Sequence, residues 1–213
     1  SEYTINLINN ARQANKARTT FMESIFRYVH KGRIHADINQ LRSEFGGTVT
    51  GRFSMTHPNL QQIPRTGSDM GNQLRALFVP EEGHTWGCFD YSQQEPRLVV
   101  HYACLTGLPA AEEFKQNYNE NSKADFHQIV SNMADIPRDQ AKTINLGKFY
   151  GMGKNKLKAE LGIEENRAEE IIKQYDARVP FVKQLMNHAS QRAEQRGQIR
   201  TLLGRLCHFH LWE

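Results

Sequence analysis

The sequence predicts an α+β fold, with many helices beside few strands. Three observations carry this. Apolar residues recur at helical spacing over several long stretches. Only a few short runs have strand length and character. The last sixteen residues, QIRTLLGRLCHFHLWE, fold back around Gly204 like a hairpin. Strands that do not alternate regularly with helices point to α+β rather than to a parallel sheet.

Taken in order, residues 5–30 read as a helix, with Ile5, Ile8, Phe21, Ile25 and Val29 among its apolar positions. GRIHADINQ (32–40) reads as a short strand. FGGTVTGRFSMTHPNLQQIP (45–64) is rich in turn residues. HTWGCFDYS (84–92) reads as a buried strand that stops at Asp90. QQEPRLVVHYACLTG is a helix stopped by Gly107, since Pro96 is tolerable in a first turn. AAEEFKQNY and ADFHQIVSNMA are further helices. From Glu164, the positions Ala168, Ile171, Ile172, Tyr175 and Val179 give a strong helical period, broken at Pro180. A last helix runs from Phe181 to Arg196 and ends at Gly197. No repeat or low-complexity linker interrupts the chain.

Composition narrows the function. With 38% hydrophobic and 23% charged residues over 213 positions, the chain can bury a sizeable core. No apolar run is long enough for a membrane span, and SEYTINLINN is not a signal peptide. Three scattered cysteines, Cys88, Cys104 and Cys207, argue against a disulfide framework and for a reducing, cytoplasmic setting. Residues 1–52 hold eight Lys/Arg and four acids, a surplus equal to the whole chain's net +4. A basic edge on a balanced body suits a polyanion, and ordinary surface charge gives the same composition.

The segment RDQAKTINLGKFYGMG (138–153) carries the sharpest pattern. Arg138, Lys142 and Leu146 are four apart and form one helical stripe, which Tyr150 continues. Two cations a turn apart, then an apolar group and an aromatic, suit an anionic ligand with a planar part or, equally, a solvated basic helix face. Asp90, at the end of an apolar run, suits a Mg²⁺ ligand or, as commonly, a helix N-cap.

TVTGRFSMTHPNLQQIP (48–64), FDYSQQEPR (89–97) and RDQAKTINLGKFYGMG occur in that order. Together they resemble three signature segments of family A DNA polymerases, the DNA polymerase I-like enzymes. GRIHADINQ, DFHQI and IRTLLGR add to the likeness, which covers nearly the whole chain. The resemblance implies a right-hand polymerase fragment with a small antiparallel palm sheet. Residues 1–47 would be a thumb remnant and its connection, 48–107 the first part of the palm, 108–180 the fingers and 181–213 a helix and hairpin returning to the palm.

It also implies roles. Asp90 would bind both catalytic Mg²⁺ ions, helped by the Tyr91 carbonyl. Arg138 and Lys142 would hold the phosphates of an incoming deoxynucleoside triphosphate, and His127 would add a contact. Tyr150 and Gly151 would shape the slot for the new base pair, and Glu95 would exclude a 2′-hydroxyl. Arg52 would reach the minor groove, where its shape rather than the base sequence is read. Thr48, Asn59 and Gln61 would touch primer or template, and Lys16 and Arg18 duplex phosphate. The partners implied are primer-template DNA and dNTPs.

The sequence departs from the family pattern in three places. Leu146 stands where Phe or Tyr is usual, and Phe149 cannot replace it because three helical residues turn by about 300°. Altered handling of dideoxynucleotides is the expectation. QQEPR replaces the commoner QIELR, a lean toward phage-type members. No HDE-like triplet supplies the family's second metal-binding Asp, so an incomplete polymerase domain is expected, either a truncated one or one completed by a second polypeptide.

Rival readings are weaker. GMGKNK fails the phosphate-loop spacing. A zinc site at Cys207, His208 and His210 lacks a fourth ligand nearby. Single-subunit RNA polymerases share the palm logic, but TGRFS and Glu95 favour DNA synthesis. The remaining alternative is a non-catalytic nucleic-acid-binding subunit of a split polymerase.

Overall fold

The basic run ARQANKARTTFMESIF carries the chain through a helix until Lys31-Gly32 turns it back. A computed structural model describes residues 2–44 and 46–209. It divides the chain into two compact units, Ser1–Cys88 and Phe89–Glu213.

In the first unit α1 (Glu2–Lys16) continues through a π-wound stretch, Ala17–Glu23, into α2 (Ser24–Phe26). The helix therefore ends earlier than the expected residue 30. Lys31 (φ 49°) and Gly32 (φ 74°) are both left-handed, which suits a two-residue hairpin turn. That turn joins β1 (Val29–His30) to β2 (Arg33–Ile34), so Val29 pairs with Ile34 instead of facing a helix neighbour. The expected strand over 32–40 is also divided. Its second half, β3 (Asp37–Asn39), pairs antiparallel with β4 (Ser54–Thr56), inside the stretch expected to be turns.

A 3₁₀ turn (Leu60–Gln62) and α3 (Asp69–Ala76) follow. Interior Gly71 hid α3 in the sequence, yet the Ser68 hydroxyl caps it by accepting the Gly71 N–H at 3.1 Å. The unit's core is small: Phe21, Ile25 and Leu74, packed with Ile34, Leu60, Ile63, Met70 and Phe78. No residue of α1 is buried.

The expected buried strand at 84–92 does not form. The segment takes no regular structure and is exposed, with Trp86 at 68% and Phe89 at 95% of full exposure. An apolar run becomes a strand only when a neighbour accepts its backbone hydrogen bonds, and no described strand lies beside it.

The second unit is helical. It comprises α4 (Gln94–Leu105), α5 (Ala111–Glu120), α6 (Phe126–Ala134), α7 (Arg138–Phe149), α8 (Lys154–Leu161), α9 (Glu165–Arg178) and α10 (Pro180–Arg196). An antiparallel pair, β5 (Gln198–Arg200) and β6 (Leu206–His208), follows. Pro180 opens α10 where its missing N–H costs nothing, and Gly197 closes it, as expected. The polar helix α8 was not expected; only Leu157 of it is buried.

All seven helices supply the core, including Val100, Phe114, Phe126, Ile144, Leu157, Ile171 and Phe181. Phe114 lies 5.3 Å, centroid to centroid, from both Phe126 and Phe181. Burying each such ring stabilises the fold by about 1.5–3 kcal/mol. The fold is thus α+β, mostly helical with small antiparallel ladders. Among the described residues no helix is long and apolar enough to cross a membrane.

Candidate functional site

The stripe on α7 forms as its spacing requires. Ala141, Ile144 and Asn145 are buried, which turns Arg138, Lys142 and Tyr150 outward and leaves Leu146 half-buried. Lys148, off the stripe, points the other way, to Asp176 of α9 at 2.9 Å. Gly147 lets the Met152 side chain cross α7: a Cβ there would collide with the Met152 Cε. Gly151 follows at φ +79°, where a side chain is strained.

Two helices contribute to one face. Asp125 precedes α6, and its Oδ2 accepts from Arg138 Nε on α7 at 2.6 Å. Its Oδ1 accepts the His127 and Gln128 N–H groups at 2.9 and 3.3 Å, capping α6. Partial burial raises the Asp125 carboxyl, but the Arg138 and amide hydrogen bonds outweigh it, leaving the group below its ordinary value. His127 is 5% exposed. Burial lowers its imidazole pKa, and Arg138 and Lys142 add to this against Asp125 and Glu95.

Asn145 Nδ2 lies 2.9 Å from His127 Nδ1. An amide nitrogen only donates, so Nδ1 accepts and the ring proton sits on Nε2. The Asn145 Oδ1 is buried without a hydrogen-bond partner.

The start of α4 is fixed to the same assembly. Gln93, left-handed at φ 54°, donates to Ala124 O at 2.7 Å and accepts from Phe126 N at 2.8 Å. Arg97 donates to Ser122 O at 3.1 Å and lies 4.3 Å from the Tyr118 ring centroid. Burial pushes the Tyr118 hydroxyl up to about 12 despite that cation. Glu95 is thereby held where the Tyr150 hydroxyl donates to it at 2.8 Å. The unit thus brings together Glu95, His127, Arg138, Lys142, Leu146, Tyr150 and Gly151 on and around α4, α6 and α7.

Asp90 and Tyr91 are exposed on the irregular segment before α4. A shallow depression of about 450 Å³ next to them is lined by Tyr91, Ser92, Gln94, Arg97, Leu98 and His101, with no second carboxylate. Among the described residues no three His, Cys, Asp or Glu side chains gather as a metal site. One carboxylate and one carbonyl supply two oxygens of a Mg²⁺ shell and leave the rest to water and phosphate oxygens, so these residues fit the ion as part of a site. The zinc reading at Cys207 and His208 gains nothing, and His210 lies outside the described residues.

In the first unit, Thr48, Arg52, Asn59 and Gln61 share one compact loop system. Thr48 Oγ1 donates to Arg52 O at 2.7 Å. Asn59 caps the 3₁₀ turn by accepting the Gln61 N–H at 3.1 Å, and Gln61 donates to Phe53 O at 3.1 Å. Lys16 and Arg18 are exposed. Arg18 is paired with Glu23 and bonded to Asn15, a pairing that a polyanion would have to replace.

Sequence reasoning missed Asp125, Asn145 and Gln93. Asp125 left a signal, an Asp directly before a helix. Gln93 and Asn145 left none, because their partners lie 31 and 18 residues away.

Comparison with known proteins gives one answer. The model of DNA polymerase family A matches residues 1–212. The DNA-directed DNA polymerase of Pseudomonas phage M6 is 35% identical over 95% of the chain and 38% of its own length. DNA polymerase I of Geobacillus stearothermophilus is 36% identical over 91% of the chain and 22% of its own length. Among solved structures, the POL domain of Pol1 from M. smegmatis, in complex with DNA primer-template and dNTP, superposes with a TM-score of 0.75. That match has 29% identity and covers 92% of this chain and 34% of that one. The chain thus spans less than two fifths of the length of these relatives.

Proposed function

The chain belongs to DNA polymerase family A, and from that premise we propose that it forms part of a polymerase domain transferring deoxynucleotides from dNTPs to a primer 3′-hydroxyl. The observation that carries this is the α6–α7 face, where exposed Arg138 and Lys142 stand beside the Nε2-protonated His127. Two cations and a neutral donor match a triphosphate. Tyr150 and Glu95 then bound the place of the sugar and base.

Residues 1–47 act as the thumb portion, 48–107 as palm, 108–180 as fingers and 181–213 as the return to the palm. Thr48, Arg52, Asn59 and Gln61 contact primer-template, and Lys16 and Arg18 the duplex backbone. Asp90 and the Tyr91 carbonyl are assigned to Mg²⁺, as part of its site only. A second carboxylate has to come from elsewhere, and a second polypeptide is one source. The setting is the cytoplasm of a bacterial or phage-infected cell.

The isolated 213-residue chain is therefore expected to bind primed DNA in a salt-sensitive way without extending it. Primer extension with Mg²⁺ and four dNTPs, beside an Asp90→Ala control, tests this. Extension lost in the control would overturn the claim of incompleteness. The second reading, a non-catalytic nucleic-acid-binding or accessory subunit that keeps the binding residues, is favoured by the single carboxylate at Asp90. Extension that is lost in the Asp90→Ala control would exclude it.

A further inference from the structure

Asp125 is where two phosphate-binding candidates meet. Its Oδ1 accepts the His127 and Gln128 backbone N–H groups, while its Oδ2 accepts from Arg138. The same carboxylate therefore fixes the start of α6, which carries His127, and a side chain of α7. Its side chain is 24% exposed and that of Arg138 46%.

A carboxylate beside a phosphate-binding cation can act in two opposite ways. It can occupy the guanidinium and compete with the ligand, or hold the guanidinium in place for it. Geometry separates these. The contact runs through Nε, the inner edge of the guanidinium, and the Arg138 side chain makes no other hydrogen bond among the described residues. Both terminal amino groups remain for a ligand, while the long side chain has lost much of its rotamer freedom. An ordering cost usually met on binding is then met in advance.

On the reading that Arg138 and His127 take a nucleotide's phosphates, we infer that Asp125 is a positioning residue that holds Arg138 side-on and sets its spacing from His127. Its chemistry cannot be copied by an amide. Asn can direct its oxygen to the α6 cap or to Arg138, but not to both.

The test is a calorimetric titration of the 213-residue chain with inorganic tripolyphosphate at low salt. Asp125→Asn, Asp125→Ser, Arg138→Ala and the Asp125→Ser/Arg138→Ala pair run beside the wild type. Serine keeps a good N-cap but cannot reach Arg138, so the variant isolates the positioning contact, and melting midpoints report its fold. Both Asp125 variants remove a negative charge, which by Coulomb attraction alone tightens anion binding. The inference expects the opposite: affinity about three- to tenfold weaker, with no further loss when Asp125→Ser is added to Arg138→Ala. Equal or tighter binding in the single Asp125 variants, or a full additive loss in the pair, would overturn it. If those results accompany a weakened Arg138→Ala, the triphosphate site survives and only the role of Asp125 falls. If the wild type does not bind, or Arg138→Ala binds like it, both readings fall.

Discussion

At His127, burial and the neighbouring cations act in one direction and hold the ring below its ordinary value of 6.5. The ring is therefore neutral at pH 7, and its Nε2–H is available as a donor. This has a signed consequence for stability. Above about pH 6.5 the ring is neutral in both states and its titration adds nothing. As pH falls below that value, the unfolded chain takes up a proton that the folded chain refuses, and stability falls. Urea unfolding at pH 7.5 and 5.5 should show a smaller loss in His127→Gln than in the wild type. At Tyr150, the hydroxyl bond to Glu95 lies on an exposed side chain, 72% accessible. Tyr150→Phe should therefore lower stability by less than about 1 kcal/mol, read from the shift in urea midpoint. A larger loss would mean that the contact organises α4 against α7.

Elements show why α7 is placed so firmly. Ile144 is fully buried, and its truncation leaves a cavity between α7 and its neighbours. Ile144→Ala should cost about 2–5 kcal/mol, measured by denaturant unfolding. Gly151, at φ +79°, closes the segment after α7. Gly151→Ala should cost about 1–2 kcal/mol through backbone strain, in the same assay. These elements also divide what was legible from what was not. The helices flanking Pro180 were legible because a local period, a proline and Gly197 all agreed. The α7 stripe was legible because its positions are four apart. The strand at 84–92 was misread because strand formation depends on a partner that the segment itself does not encode. α3 and α8 were hidden, the first by an interior glycine and the second by having one buried residue. The site's long-range bonds were not legible: Asp125 meets Arg138 across 13 residues, and Glu95 meets Tyr150 across 55.

For the whole molecule, charge and architecture tell one story. The basic surplus lies within residues 1–52, on the unit that also holds Thr48, Arg52, Asn59 and Gln61. The triphosphate candidates lie in the helical unit. Binding of primed DNA should weaken steeply between 50 and about 200 mM salt, as phosphate contacts do, and Lys16→Ala/Arg18→Ala should reduce that slope in a fluorescence anisotropy assay. The triphosphate site proposed on the α6–α7 face is tested most directly by a titration with a deoxynucleoside triphosphate. The wild-type chain and the Arg138→Ala/Lys142→Ala variant should be compared at equal salt. Loss of two charge-assisted contacts should weaken binding by about a hundredfold or more with the fold intact. Equal affinity in the two proteins would contradict the account.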